Sequence, residues 1–289
     1  MKLLRELIVR YRLSRRLLHI YRSMISRFIE LRYRTANRFR IKYRRVVVAC
    51  ILKFWVRRIT GLQNIPLRGP IIIVSNHVSY SDFLILAAIL DKRTLFVATS
   101  KLQQRRIINW FLKLNTIIYL NADKPGYAFF KQIIRYLALK RNIVIYPEGT
   151  RSKSGKMLLP KLGFIKLSIK TGVPIVPVAM KGTYKILPPH KRLPRLRRCE
   201  VVVGRPIFIN NENLEFRDIF YRNGNFVAIN KFSPEDMQEM AIRVMDRVRK
   251  ETGGEWDDSA VEYFRSRPKR LPAMPSLLME SLRDDSGFF

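Results

Sequence analysis

Residues 70–90 read PIIIVSNHVSYSDFLILAAIL: an apolar run, a short polar stretch and a second apolar run. The first run, 70–75, is rich in isoleucine and valine, which is typical of a strand buried on both faces. The second run, 81–90, is long enough for a helix and has a serine and an aspartate in its first turn. The stretch therefore predicts a strand that leads through a polar turn into a helix.

The same alternation of strand and helix patterns continues along the chain. Further strands are predicted at 94–99, 116–120, 142–146, 174–180 and 200–204. Helices are predicted at 106–114, 126–140, 161–171 and from Ser233 and Pro234 to about residue 251. This alternation predicts an α/β domain over 61–251, with a mainly parallel, mixed sheet covered by helices.

Basic residues dominate the chain, and most densely its N-terminal part. The sequence contains 56 Lys and Arg against 22 Asp and Glu, a net charge of +34. Within residues 1–60, apolar side chains recur at helical spacing between the arginines, and a second helical stretch is predicted at about 40–59. We therefore expect a basic amphipathic helical pair in 1–60 ahead of the main domain, and a C-terminal tail of uncertain order in 252–289.

A chain this basic is expected to bind a polyanion: nucleic acid, an anionic membrane surface, or acidic substrates and carriers. The apolar stripe favours the membrane, because nucleic acid offers nothing for it to bind, although packing of the stripe against the main domain is an alternative. No 18 residues run without a charge, so we expect no conventional spanning helix. The expected location is the cytoplasmic face of a membrane, with monotopic or peripheral attachment through the N-terminal helices and no nucleic-acid partner.

His77 and Asp82 stand five positions apart in the turn between the predicted strand and helix. A turn of this length can fold the histidine back, so that one ring nitrogen meets the carboxylate in the first helical turn. The other ring nitrogen is then available as a general base. The alternative is that His77 packs in the core and Asp82 only caps the helix.

A second polar loop, PEGTRS (147–152), follows the predicted strand 142–146. Gly149 allows close approach of the backbone, Thr150 supplies a hydroxyl, and Arg151 can bind a phosphate through two parallel hydrogen bonds. Ligands of open α/β sheets bind at the carboxyl ends of the strands, where both loops are predicted to lie. Together the two loops predict a site that combines a base with an anion-binding group.

These segments resemble the lysophosphatidic acid acyltransferase family (1-acyl-glycerol-3-phosphate acyltransferases) and related glycerolipid acyltransferases. The similarity covers about half of the chain. It runs through GLQNIPLRGPIIIVSNHVSYSDFLIL (61–86), YPEGTRS (146–152), GVPIVPVAM (172–180) and VVVGRPI (201–207).

The resemblance implies transfer of an acyl group from a thioester to the hydroxyl of a lysophospholipid, with 1-acyl-glycerol 3-phosphate giving phosphatidic acid as the first candidate. His77 would remove the hydroxyl proton and Asp82 would orient the ring. The resemblance further implies that substrate is bound by Glu148, Gly149, Thr150, Arg151, the basic Lys101, and Pro177 on the donor side. The donor would be acyl-coenzyme A or acyl carrier protein, and no metal or other cofactor is expected.

The segment NTIIYLNADK (115–124) departs from the family pattern. Asn115 stands where glycine is common, and Asn121 stands where a second phosphate-binding arginine is expected; Lys124 follows three residues later. Other acceptors therefore stay open: glycerol 3-phosphate, another lysophospholipid or a lyso-aminolipid. A non-catalytic lipid-binding protein is a further alternative.

Overall fold

The computed structural model divides the chain into two compact units, Met1–Cys50 and Ile51–Phe289. The structure describes residues 48–91, 94–99, 116–120, 126–191, 193–222, 225–226 and 232–266. The predicted N-terminal amphipathic helix and the predicted helix 106–114 lie outside the described residues, as do Lys101, Asn115, Asn121 and Lys124.

Seven strands of the described part of the chain form one mixed sheet. They are β1 (Val56–Thr60), β2 (Ile72–Ser75), β3 (Thr94–Thr99), β4 (Thr116–Leu120), β5 (Asn142–Ile145), β6 (Ile175–Lys181) and β7 (Cys199–Val203). Their order across the sheet is β1-β7-β6-β2-β5-β3-β4, and only the β6–β7 pair is antiparallel. The prediction of a mainly parallel, mixed sheet is confirmed. A separate small hairpin joins β8 (Tyr221–Arg222) to β9 (Asn225–Phe226).

Helices cover both faces of this sheet. They are α1 (Ser81–Ile89), α2 (Tyr127–Ala138), α3 (Gly163–Thr171), α4 (Arg217–Phe220), α5 (Pro234–Thr252) and α6 (Asp258–Arg265). Because successive side chains of a strand point to opposite faces, Ile72 and Val74 pack in one cluster with α2, α3, α5 and α6. Ile71 and Ile73 pack on the other face with α1. The apolar run at 70–75 is thus buried on both sides, as predicted.

The end of the domain differs from the prediction. The start of α5 is confirmed, because Ser233 and Asp236 form a reciprocal capping box. The expected tail of uncertain order, however, contains α6. Trp256, Ala260 and Phe264, spaced four residues apart, bury one face of this segment in the core.

The predicted helix over 40–59 is wrong at its C-terminal end. Residues 51–55 are helical, but Val56–Thr60 form the edge strand β1. This strand pairs in parallel with β7, with Val56 opposite Cys199 and Ile59 opposite Val201. Pairing with a strand more than a hundred residues away overrides the local helical spacing, and the α/β domain therefore includes residues 56–60.

The sheet brings the two polar loops to the same edge. Strands β2 and β5 are parallel neighbours, with Ile72 opposite Ile143 and Val74 opposite Ile145. Their carboxyl ends therefore coincide, and the segment after β2 meets the segment after β5.

Candidate active site

The turn between β2 and α1 wraps around the carboxylate of Asp82, which is completely buried. Its Oδ2 accepts hydrogen bonds from the backbone N–H groups of Val78 and Ser79, at 2.9 and 2.8 Å. The same oxygen lies 3.1 Å from Nδ1 of His77. The predicted contact between the imidazole of His77 and the carboxylate of Asp82 is therefore present. Asp82 binds the turn and the histidine ring in addition to its place in the first turn of α1.

This contact fixes the role of each ring nitrogen of His77. A carboxylate oxygen accepts, so the proton of the neutral ring is placed on Nδ1 and the lone pair on Nε2. Among the described residues Nε2 has no hydrogen-bond partner, and the side chain is 19% exposed. Nε2 is thus the atom that can accept a proton from a substrate hydroxyl.

The turn after β2 and the loop after β5 are bonded directly to each other. The backbone N–H of His77 donates to Oε1 of Glu148 at 2.7 Å, and the N–H of Ser152 donates to the carbonyl oxygen of His77 at 2.9 Å. The PEGTRS loop therefore binds both the backbone N–H and the backbone carbonyl group of His77.

Arg151 lies across the ring of Tyr80, with its guanidinium carbon 3.4 Å from the ring centroid. Its Nη1 is buried and has no hydrogen-bond partner among the described residues. A stacked guanidinium with a free donor is suited to bind an anion, because the ring holds its plane while the N–H groups remain available. The site thus combines a base with a cation that still lacks a polar partner.

The part of the chain that carries this arrangement is similar to known acyltransferases. Residues 56–181 match the family model described as Acyltransferase. The chloroplastic 1-acyl-sn-glycerol-3-phosphate acyltransferase of Arabidopsis thaliana is 33% identical over 141 residues, which cover 48% of this chain and 39% of that protein. The 1-acyl-sn-glycerol-3-phosphate acyltransferase of Borreliella burgdorferi is 32% identical over 142 residues, 47% of this chain and 57% of that protein. Over this region the chain is thus similar to the lysophosphatidic acid acyltransferases.

A solved structure shares the fold of this chain. The crystal structure of the 1-acyl-sn-glycerophosphate acyltransferase of Thermotoga maritima superposes with a TM-score of 0.54 at 24% identity, covering 76% of this chain and 85% of that one. The chain spans about half the length of the curated relatives it matches. The likeness to the solved structure shows the fold.

The aromatic ring of Tyr146 packs flat against the imidazole of His77, with centroids 4.0 Å apart and planes 18° from parallel. Tyr146 stands between the last residue of β5 and Pro147. Its hydroxyl is buried without a hydrogen-bond partner in the described part of the chain. Burial, assisted by the nearby charge of Asp82, raises the pKa of Tyr146 well above its ordinary value, so the phenol stays neutral. Tyr146 thus fixes the plane of the imidazole, while Asp82 fixes its tautomer.

Glu148 lies beneath the loop and not at the predicted acceptor-phosphate surface. It is 3% exposed, and its second oxygen, Oε2, accepts the backbone N–H of Leu158 at 2.9 Å. Burial raises its pKa to about 8 against the two hydrogen bonds, which lower it. Each carboxyl oxygen of Glu148 already accepts a backbone N–H, so in this structure its side chain positions the loop.

Gly149 and Thr150 are exposed at the tip of the loop, as a substrate-binding role requires. Gly149 has φ +71°, a left-handed conformation that favours glycine. The space a side chain would fill is taken by Lys161, whose Cε and Nζ lie 2.8 Å from the ideal Cβ position. The backbone N–H of Lys161 also donates to the carbonyl oxygen of Pro147, so this lysine adds a second cation to the loop that carries Arg151.

Pro177 is buried inside the sheet, opposite Val74 of β2, and its carbonyl oxygen accepts the N–H of Gly204. The residue of β6 that meets the His77 turn is Met180, whose N–H and carbonyl oxygen both bond the amide side chain of Asn76. The effect of Pro177 on a donor site would therefore act through the packing of the sheet.

Over the ranges the structure describes, no three His, Cys, Asp or Glu side chains are grouped so that they could hold a metal ion. In the same residues, no helix is both long enough and apolar enough to cross a bilayer.

Sequence reasoning missed Tyr80, Tyr146 and Lys161. Both tyrosines stand inside or beside the quoted motifs, and an aromatic residue next to a functional histidine or arginine is a usable signal for stacking. The sequence contains no such signal for Lys161, because its position beside Gly149 depends on the path of the backbone after the loop.

Proposed function

We propose that this protein transfers a fatty acyl group from an acyl thioester to the free hydroxyl of 1-acyl-glycerol 3-phosphate, which gives phosphatidic acid. The observation that carries the proposal is the 3.1 Å contact between His77 Nδ1 and Asp82 Oδ2, in a turn bonded to the loop of Arg151. The curated relatives, whose names state this activity, support it.

In the proposed reaction, Nε2 of His77 removes the proton from the acceptor hydroxyl as its oxygen attacks the thioester carbonyl. Asp82 stabilises the imidazolium that forms. The tetrahedral intermediate collapses, the carbon–sulfur bond breaks, and the departing thiolate takes the proton from His77. The products are the diacyl lipid and the free thiol. A thioester is already activated, so the proposed chemistry requires no metal or redox cofactor.

Arg151, with the exposed Gly149 and Thr150 beside it, binds the acceptor phosphate in this proposal. The donor is acyl-coenzyme A or acyl carrier protein, both of which are anionic and suit a chain of net charge +34. Attachment to an anionic membrane surface, at its cytoplasmic face, would keep the lipid substrate and product out of water.

The test is an assay of the purified full chain with a labelled acyl thioester and a panel of acceptors. The panel contains lysophosphatidate, glycerol 3-phosphate, another lysophospholipid and a lyso-aminolipid, each with both donors. We expect lysophosphatidate to be acylated fastest. If another acceptor is preferred, the proposed acceptor is wrong but the proposed acyl transfer stands. No turnover with any pair of donor and acceptor would favour a non-catalytic lipid-binding protein.

Variants of the histidines identify the base. His77→Ala should lower kcat roughly 10²- to 10⁴-fold, which is the range that a positioned general base contributes. His190→Ala, at an exposed loop position, is the matched control and should leave turnover unchanged. Full turnover by His77→Ala, with an unaltered unfolding curve, would exclude His77 as the base.

A further inference from the structure

The segment KRLPRLRR (191–198), which leads into β7, has five basic residues and no acidic one. We call it the docking loop. The structure describes all of it except residue 192, and every described side chain in it is exposed. Leu193 and Leu196 are 80% and 82% exposed. The loop therefore presents two leucines to solvent, interleaved with cations.

The combination of exposed leucines and basic residues favours one kind of anionic partner over the others. Nucleic acid or the phosphates of coenzyme A would pair with the arginines but would leave the leucines in water. An anionic bilayer accepts both, since its headgroups attract the cations and the region below them buries apolar side chains. We propose that the docking loop binds an anionic phospholipid bilayer, with its basic residues on the headgroups and with Leu193 and Leu196 inserted below them.

The base of the docking loop is attached to the turn that carries His77. Ser79 Oγ and the backbone N–H of Tyr80 both donate to the carbonyl oxygen of Leu187, at 2.7 and 3.2 Å. The N–H of Arg195 donates to the carbonyl oxygen of Ile186 at 2.8 Å, which closes the loop at the same place. Bilayer contact here holds the His77 turn beside the membrane surface. This contact lies outside the N-terminal segment in which membrane binding is expected from the sequence.

The test places a fluorophore on the docking loop of the full chain. Leu196→Cys in a Cys50→Ser background gives one reactive thiol, because Cys50 is exposed and Cys199 is buried. The thiol is labelled with an environment-sensitive dye and mixed with vesicles of phosphatidylcholine and phosphatidylglycerol. The matched control is Leu214→Cys, since Leu214 is 78% exposed but stands between Glu212 and Glu215.

The proposal predicts a blue shift and a rise in emission at position 196, with quenching by a spin-labelled lipid, and no change at position 214. Vesicles of phosphatidylcholine alone should give a weaker response. If the protein sediments with anionic vesicles while the dye at 196 stays unchanged, the docking loop is not the contact and the proposal fails. A response to an acidic carrier protein but not to vesicles would overturn it in favour of protein docking.

Two variants distinguish the contribution of the basic residues to vesicle binding from the contribution of the inserted leucines. Replacement of Arg195, Arg197 and Arg198 by glutamine should weaken vesicle binding roughly 100-fold, at about 5-fold for each basic residue. Leu193→Ser with Leu196→Ser should leave the salt dependence of binding intact but reduce affinity by roughly 100-fold, at about 10-fold for each leucine. Equal binding by both variants and the parent chain would overturn the proposal. None of these readouts requires turnover, so their outcome is independent of the proposed acyl transfer.

Discussion

The backbone N–H of His77 donates a 2.7 Å hydrogen bond to a carboxylate oxygen of Glu148, 71 residues further along the chain. The other oxygen of Glu148 accepts the N–H of Leu158. One buried side chain thus ties the turn of the proposed base to both ends of the loop that carries Arg151. The distance between base and anion-binding group is set by this carboxyl and by the register of β2 on β5.

The first prediction concerns Glu148→Gln and the dependence of stability on pH. Burial raises the pKa of Glu148 from 4.5 to about 8 in the folded protein. Between these pH values the unfolded chain has lost a proton that the folded chain keeps. The free energy of unfolding therefore falls as pH rises, by at most about 1.4 kcal/mol per pH unit from this group. Below pH 4.5 the ionisation equilibrium of Glu148 makes its full contribution to the free energy of unfolding, and above about pH 8 this contribution is lost.

Denaturant unfolding across this pH range measures the effect. Glu148→Gln should show a shallower fall than the parent chain. Its stability at low pH should also be lower by about 1–3 kcal/mol, because the amide group cannot accept one of the two N–H bonds. Glu255→Gln, at an exposed acid, is the control for the removal of any carboxyl. Identical pH slopes in Glu148→Gln and the parent chain would show that Glu148 ionises in the folded protein as it does in the unfolded chain.

The second prediction separates the ring of Tyr146 from its hydroxyl. Tyr146→Phe keeps the stack on His77 and removes a buried, unpartnered hydroxyl, so we expect unchanged kcat and a free energy of unfolding that is equal or higher by about 1 kcal/mol. Tyr146→Leu removes the flat surface and should lower kcat at nearly constant KM. Steady-state kinetics and thermal unfolding measure both. A large loss of kcat in Tyr146→Phe would instead mean that the hydroxyl contacts the substrate.

The sequence predicts the sheet and its loops because each strand is a short apolar run bounded by polar residues. The approach of His77 to Asp82 is also local, since five residues and a helix start determine it. The bridge through Glu148 could not be predicted, because it depends on the register between two strands that are far apart in sequence. The prediction of a helix at 56–60 is wrong for the same reason. The pairing of this segment with β7 cannot be deduced from its own residues.

The third prediction concerns Gly149→Ala. A non-glycine residue at φ +71° costs roughly 1–2 kcal/mol of backbone strain, and a Cβ here would also displace Lys161. Gly69→Ala is a matched control, since Gly69 has φ +85° and no atom within 4 Å of its ideal Cβ. We expect both variants to lose similar stability in denaturant unfolding, but only Gly149→Ala to raise the KM for lysophosphatidate.

Lys161→Ala shows whether that rise in KM comes from the lysine. If Lys161 contributes charge to the acceptor site, Lys161→Ala should raise KM without loss of stability, and adding Gly149→Ala should raise it little further. Unchanged KM in all three variants would place Lys161 and Gly149 outside the acceptor site.

The fourth prediction tests the stack of Arg151 on Tyr80. Arg151→Ala should raise the KM for lysophosphatidate roughly 10- to 100-fold, as expected for loss of a charge-assisted hydrogen bond to phosphate. Arg151→Lys keeps the charge but loses the planar fork and the stack, so its KM should be intermediate. Kinetics with varied acceptor at saturating acyl thioester give these values.

The contribution of Tyr80 follows from the same geometry. Tyr80→Leu removes the ring and should raise the acceptor KM about 5-fold, the equivalent of a partly desolvated cation–π contact, with little change in kcat. Tyr80→Phe keeps the ring and should behave like the parent chain. An equal defect in both variants would assign the effect to the hydroxyl and not to the stack. An unchanged KM in Arg151→Ala would exclude phosphate as the group bound there and direct the search to acceptors with uncharged headgroups.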